Sequence, residues 1–247
     1  MSYSNNYQIL HFFRTVPSGE FLKGTTDHRV SDLLEFASDS GKGWLSYTSM
    51  EIGLCVIQAT NSRSQRSVLV YGQQFWFACT KSIQENTTDA FLVNVVAEYW
   101  LGGIEKIMFP VVFRQHWFAI CLSFTTCEIL FAEGFNVREP PTELCERMLW
   151  FLGILGVETR GWRVVREKAP RQCDGWNCGP IALSVMEGWY SGKASEMGNW
   201  CAEEERIRYV RRAVEIYYRS GIDEVPGDGE TEEKLGEYKV NFIWLCR

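Results

Sequence analysis

The sequence predicts an α+β fold, and three observations point to it. Three β-rich runs, "IMFPVVF", "HWFAICLSF" and "CEILFA", follow one another between about residues 107 and 132, separated by polar residues. Segments of helical apolar period lie before and after these runs rather than alternating with them, which favours α+β over alternating α/β. The 247 residues are 46% apolar and 14% aromatic, enough for one sizeable core. One domain over residues 1–220 is therefore expected, two smaller ones being the alternative.

Along the chain, residues 43–62, "GWLSYTSMEIGLCVIQATNS", read as a helix ending in polar turn residues. "SVLVYG" and "QQFWFACT" read as short strands. "TTDAFLVNVVAEYWLGG" has a Thr/Asp start, a helical apolar period and a Gly-Gly stop, so the spacing predicts a helix over 88–101. The three strands come next. "PPTELCERMLWFLGILG" opens with Pro and closes with Gly around another helix. "GWRVVRE" reads as a further strand. Residues 179–190 and 203–219 read as helices, the second from Ile207, Val210, Val214 and Tyr217 at helical spacing. Residues 221–247 divide into an acidic loop, "IDEVPGDGETEEKLGE", and an apolar end, "YKVNFIWLCR", which reads as a final strand or a frayed tail.

Charge and composition exclude several classes. A net charge of −6 with no Lys/Arg block disfavours nucleic-acid binding, because phosphate neutralisation needs a basic surface. No stretch reaches the roughly 18 apolar residues of a membrane span, and the N-terminus lacks a basic region followed by a long apolar run. The expectation is a protein in a reducing intracellular compartment, nucleus or cytoplasm, with no membrane partner. Nine cysteines without a framework spacing agree with free thiols. Cys173, Cys178 and Cys201 lack the paired spacing of a zinc site, so no metal and no cofactor is expected. Cys173 and Cys178, close on one turn, are candidates to react with each other under oxidation.

One cysteine stands apart. In "QCDGWNCGPIALSVMEGWY" a Gly-containing polar turn delivers Cys178 to the start of an apolar helix, with Pro180 in its first turn. A thiol attacks as the thiolate, and a helix N-terminus and a nearby His both favour that form. A carbonyl oxygen attacked there would meet backbone N–H groups without helical partners. Of three histidines, His11 and His28 sit in contexts that suggest surface or core roles. His116 follows the turn "FRQ" and begins a strand, a position from which a ring can face a cleft. A working His needs an acceptor at its other nitrogen. Glu133 ends "EILFA", and antiparallel pairing through the turn "FTTC" would bring it beside His116.

With these pieces placed, the chain resembles the ubiquitin-like-protein proteases, the SUMO-protease type of papain-like cysteine peptidase, which also include the adenoviral protease. The family order of His-Trp, acid, Gln and Cys-Gly is met by His116-Trp117, Glu133, Gln172 and Cys178-Gly179, with the acid 17 residues after the His and the Gln 6 before the Cys. "FPVVFRQHWFAICL" resembles the stretch leading into the family's histidine, "QCDGWNCG" its Gln-x-Asn-Gly-x-Asp-Cys-Gly motif, and "GWLSYTSMEIGL" its Trp-Leu helix start. The resemblance covers about residues 40–220.

It implies a central mixed sheet flanked by helices, with the nucleophile at the N-terminus of a central helix. It implies Cys178 as nucleophile, His116 as its ion-pair partner and proton donor, and Glu133 as the group that orients His116. It implies an oxyanion hole from the Gln172 side-chain amide and the Cys178 backbone N–H. Trp44 and Trp117 would line a narrow tunnel that passes only a Gly-Gly tail. The implied activity is a thiol peptidase or isopeptidase acting on a ubiquitin-like protein or its conjugates, SUMO-like favoured, by a monomer. The sequence departs from the pattern at four places. Glu133 stands where most cellular members carry Asp, Asp174 where the motif has Asn, Asn177 where it has Asp, and Tyr47 where the Trp-Leu motif continues to an Asp. Two other readings fit the same residues: an effector-type acetyltransferase on this fold, and a module that binds a ubiquitin-like protein without cutting it.

Overall fold

In the computed structural model, the described residues are 3–23, 25, 27–36, 43–61, 67–135, 137, 139–192 and 200–220. They divide into two compact units, one drawn from residues 1–60 and from 201 onward, the other from residues 61–200. The expected final strand falls in 221–247, outside the described residues. No helix among the described residues is long and apolar enough to cross a membrane.

The larger unit is built on a five-stranded mixed sheet in the order β1-β2-β3-β4-β5. The strands are β1 Val68–Val70, β2 Lys106–Phe113, β3 His116–Ser123, β4 Glu128–Ala132 and β5 Arg163–Arg166. The middle three form an antiparallel meander, and the two outer strands join it in parallel. This is the α+β architecture the strand run implied, and every strand expected between residues 100 and 170 is present. The β2–β3 hairpin turns on only two residues, Arg114 and Gln115, both at positive φ (49° and 60°), because such turns match the twist of the flanking strands. His116 is the first residue after that turn, paired with Phe113.

One face of the sheet is covered by α3 (Gln73–Glu85), α4 (Ala90–Leu101) and α5 (Thr142–Ile154). Phe75, Cys79, Leu92, Val95, Met148 and Phe151 from these helices pack on Phe109, Phe118, Ile120 and Phe131 of the strands. α4 starts where its sequence announces it, with the Asp89 side chain accepting from the Phe91 N–H at 2.9 Å. Strand alternation sends Trp117, Ala119 and Cys121 to the other face. There β3 packs against α6 (Cys178–Ser191), a helix in which all but a few residues are buried.

"QQFWFACT" is a correction: it is not a strand but the start of α3. Its aromatic run resembles a strand over eight residues, but the buried positions Phe75, Trp76, Cys79 and Ser82 recur at three and four, with Phe77 half exposed. Gly72 caps the helix and the sheet buries that stripe, so packing overrides local β character.

The smaller unit packs α1 (Tyr3–Thr15) on α7 (Ala202–Ser220), with Phe12 edge-on to Tyr217 and Tyr218. It also holds a 3₁₀ turn at Val30–Glu35 and α2 (Tyr47–Asn61). α1 and the 3₁₀ turn were not expected from the sequence. α7 carries a fully buried Arg206, which donates from Nη1 to the Glu35 carbonyl at 3.3 Å and from Nη2 to the Gly43 carbonyl. The Glu35 carboxylate in turn accepts from the Ser46 N–H at 3.0 Å and from the Ser49 hydroxyl at 2.5 Å. Burial pushes the Glu35 carboxyl up, but these bonds outweigh it and hold it below its ordinary value. The segment carrying Trp44 is thus tied at one end to the buried Arg206 and at the other to the half-buried Glu35 carboxylate.

Arg206→Ala leaves two partly buried carbonyls without this donor and opens a hole. The expected cost is about 3 kcal/mol of unfolding free energy. Urea denaturation of the variant against the parent chain checks this.

Candidate active site

Residues 116, 133, 172 and 178 come from three separate stretches of the sequence, the last two from one loop, and all lie in the larger unit. The β3–β4 register runs Ala119↔Ala132 through Ser123↔Glu128, so the chain leaving β4 passes beside the first residues of β3. Glu133 lies there, 2% exposed. His116 Nε2 and Glu133 Oε2 are 3.1 Å apart. Since a carboxylate only accepts, this nitrogen carries the proton. The remaining ring nitrogen, Nδ1, is left for Cys178, with which the imidazole also hydrogen-bonds.

Glu133 is a buried charge, and such a charge is tolerated only when its lone pairs are filled. Besides His116, Oε2 accepts from the Phe135 N–H at 2.5 Å, and Oε1 accepts from the Val137 N–H at 2.6 Å. Burial alone pushes its carboxyl up. The hydrogen bonds from His116, Phe135 and Val137 outweigh that and hold it below the ordinary carboxylate range. His116 shows the mirror effect. Burial pulls its pKa down, yet the bonds to Cys178 and Glu133 push it up to about 9. At neutral pH the ring is an imidazolium held between a carboxylate and a sulfur.

Phe135 was not signalled by the sequence reading. Its ring stacks on His116 with centroids 4.6 Å apart at 22°, while 53% of the residue stays exposed. Continuing the β3–β4 register past its last pair sets residue 135 opposite residue 116, so the strand pairing already contained this contact. Phe118 meets the same imidazole edge-on at 5.1 Å. The ring is therefore clamped on one face and at one edge by carbon.

Cys178 opens α6 and is 1% exposed. All eight described cysteines are free, Cys173 exposed and Cys178 buried among them. Gln172 is buried beside Glu133's neighbour: its backbone N–H donates to the Gly134 carbonyl at 2.8 Å. Its side-chain Nε2 donates to the Asp174 carbonyl at 2.8 Å. Its Oε1 is buried and accepts nothing. Gly134 is what admits Gln172 this closely. A Cβ on residue 134 would stand 2.7 Å from the Gln172 Cβ and 2.8 Å from the Ile181 Cδ1.

The two tryptophans part company. Trp117 is 1% exposed, on the α6 side of the sheet. Trp44 belongs to the smaller unit and is 46% exposed. His11 and His28 also lie in the smaller unit. Among the described residues no group of three or more His, Cys, Asp or Glu side chains could hold a metal ion.

A cysteine at a helix N-terminus, beside an imidazolium that a carboxylate steadies, can as its thiolate attack a carbonyl, the imidazolium then giving its proton to the departing group. A fold of the same kind is known. The chain superposes on the SUMO protease Ulp1, solved with its catalytic cysteine oxidised to a sulfenic acid. The TM-score is 0.67 at 12% identity, over 89% of this chain and 96% of that one. It superposes on the C-terminal Ulp1 protease domain in complex with SMT3, the yeast ortholog of SUMO, at a TM-score of 0.64 and 12% identity, over 89% and 96%. The Ulp1-like SUMO protease catalytic domain of Chaetomium thermophilum gives 0.64 and 12% over 91% and 92%. No family model matches the sequence, and no curated protein matches it. The fold is that of the Ulp1-type SUMO proteases, a mixed five-stranded sheet with helices.

Two outcomes follow from this geometry. The His116 pKa is raised on folding, so the stability it lends is full below pH 6.5 and is lost as pH rises through about 9. An NMR titration of the His116 ring is expected to show a midpoint near 9, and Glu133→Gln to bring it down toward 6.5. A midpoint near 6.5 in the parent chain would contradict the ion pair. Gly134→Ala is expected to cost about 1–3 kcal/mol by overpacking. Against a Gln172→Gly background the same change costs less, because one clashing side chain is gone.

Proposed function

We propose that this chain is a thiol peptidase or isopeptidase that cleaves after the Gly-Gly tail of a ubiquitin-like protein, SUMO-like favoured. One observation carries the reading: His116 is held by Glu133 at Nε2 and also hydrogen-bonds with Cys178, as an imidazolium up to about pH 9. That is a proton donor already charged beside the sulfur. The Ulp1-type fold supports the substrate class, since the matched Ulp1 domain is seen in complex with SMT3.

In this reading Cys178 reacts as the thiolate, its proton already carried by His116, and the sulfur attacks the carbonyl carbon of the terminal glycine. The carbonyl electrons move to oxygen, and the oxyanion is met by the Cys178 backbone N–H and a Gln172 Nε2 hydrogen. Losing one such donor typically costs about 10²–10³ in rate. As the tetrahedral carbon collapses, the C–N bond breaks and His116 hands its proton to the departing amine. A thioester remains on Cys178. Water then attacks it, with His116 now taking the proton, and the sulfur leaves. Glu133 keeps the imidazolium oriented throughout and is not protonated, consistent with its lowered pKa.

Selection of the tail is assigned to a narrow passage, a glycine pair being the only dipeptide without side chains to obstruct one. Trp44, 46% exposed on the smaller unit, has the exposure to meet such a tail, whereas Trp117, beside His116 in β3, is 1% exposed. A reduced nucleophile also fits a reducing compartment, nucleus or cytoplasm. The reaction needs no cofactor.

The test is a set of SUMO, ubiquitin and NEDD8 probes, each with a thiol-reactive C-terminal group. The SUMO probe is expected to form a covalent adduct with the chain and none with Cys178→Ala, read by intact-mass spectrometry. A folded chain that captures no probe would overturn the reading, and transfer of label from acetyl-CoA to Cys178 would replace it with an acetyltransferase.

A further inference from the structure

Asp174 stands in the irregular loop between Gln172 and Cys178, and the loop converges on its carboxylate. Oδ1 accepts from the Trp176 N–H at 3.0 Å and the Asn177 N–H at 2.9 Å. Oδ2 accepts from the Asn177 side-chain amide at 2.7 Å. Gln172 Nε2 donates to the Asp174 carbonyl at 2.8 Å and lies 3.3 Å from Oδ1. Asp174 therefore holds the Gln172 amide at one end of the loop, chiefly through its backbone carbonyl, and through its carboxylate it holds the residue before Cys178 at the other, which fixes the carbonyl that Gln172 uses.

We propose that Asp174 is a positioning residue for the oxyanion hole, acting as a clamp with Asn177 that fixes the Gln172 amide relative to the start of α6. The proposal rests on the functional reading above, in which Gln172 supplies one oxyanion donor. The Gln172 amide has two hydrogens. The one committed to Asp174 sets the plane of the group, and the second is the one a developing oxyanion receives. The buried, unpartnered Oε1 of Gln172 shows that nothing else holds that plane from the other side. The residues on either side of Asp174, Cys173 and Gly175, are exposed, so neither packs against the clamp. Burial pushes the Asp174 carboxyl up, but the bonds from Trp176, Asn177 and Gln172 hold it below its ordinary value, so the clamp is anionic throughout the neutral range.

The pair also accounts for two departures of the sequence together. The motif "QCDGWNCG" carries the acid at 174 and the amide at 177, the reverse of the pattern it resembles. One carboxylate and one amide 2.7 Å apart form a hydrogen bond either way round; two carboxylates do not. The two positions form one exchangeable unit rather than two separate substitutions.

The test uses the full chain and three variants: Asp174→Ala, Asn177→Asp, and the exchange Asp174→Asn/Asn177→Asp. Turnover is followed on whichever ubiquitin-like tail the unmutated chain cleaves. Asp174→Ala is expected to lower kcat about 30- to 100-fold with KM within threefold, and to leave the alkylation rate of Cys178 by iodoacetamide within twofold. Asn177→Asp, which sets two carboxylates face to face, is expected to lose as much, and the exchange to return kcat to within about fivefold. A kcat within threefold of the parent in Asp174→Ala, or an exchange no better than Asn177→Asp alone, overturns the proposal. So does an alkylation rate that falls in step with kcat, which would mean that the nucleophile itself had moved. Amide hydrogen exchange over residues 172–178 is measured in parallel and is expected to quicken at least tenfold in Asp174→Ala with β3 unchanged; unchanged protection also overturns the clamp. If the parent chain cleaves no tail, the functional reading falls, and the exchange measurement alone decides whether the clamp exists.

Discussion

The buried carboxylate of Glu133 is the constraint on which the site depends. With 2% of its surface exposed it has to find donors, and it finds them in His116 and the backbone of residues 135 and 137. Those bonds turn the chain sharply at the end of β4, bring Phe135 onto the imidazole and put Gly134 against Gln172. One charge thus fixes the ring's proton, the ring's face and the place of the neighbouring amide. An uncompensated carboxylate there would cost several kcal/mol, so the local backbone has little freedom to do otherwise.

Glu133 and Asp174 solve the same problem at different depths. Each is a carboxylate whose burial would raise its pKa, and each is held down by backbone and side-chain donors. Glu133 faces a cation and balances its charge. Asp174 faces only neutral N–H groups and uses its charge to order them. Between the two lies the segment from 134 to 172, in which α5 and β5 are formed, tied back by the bond from the Gln172 N–H to the Gly134 carbonyl.

Much of this was legible in the sequence because it is periodic or local. The meander and helices α4 to α7 show in apolar spacing and in caps such as Asp89. His116 and Glu133 could be paired from strand ends alone, since antiparallel neighbours return to the same place. What escaped depends on neighbours distant in sequence. α3 looks like a strand until the sheet that buries Phe75 and Cys79 is present. Phe135 is an unremarkable aromatic until register sets it opposite residue 116. The hold of Asp174 on Gln172 spans two residues, but it runs chiefly through a backbone carbonyl, a group every residue carries, so no residue type marks it in the sequence.

The exposed hairpin before His116 has a different consequence. Surface loops ordinarily absorb an added or missing residue at small cost. This turn holds two exposed residues, Arg114 and Gln115, between strands paired up to Phe113 and His116. Side chains on a strand alternate between faces, so a shift of one residue after the turn would exchange Trp117 with its neighbour and send the imidazole away from Glu133. The loop's composition is free where its length is not. Its length sets the phase of β3, and with it which side of the sheet carries the chemistry.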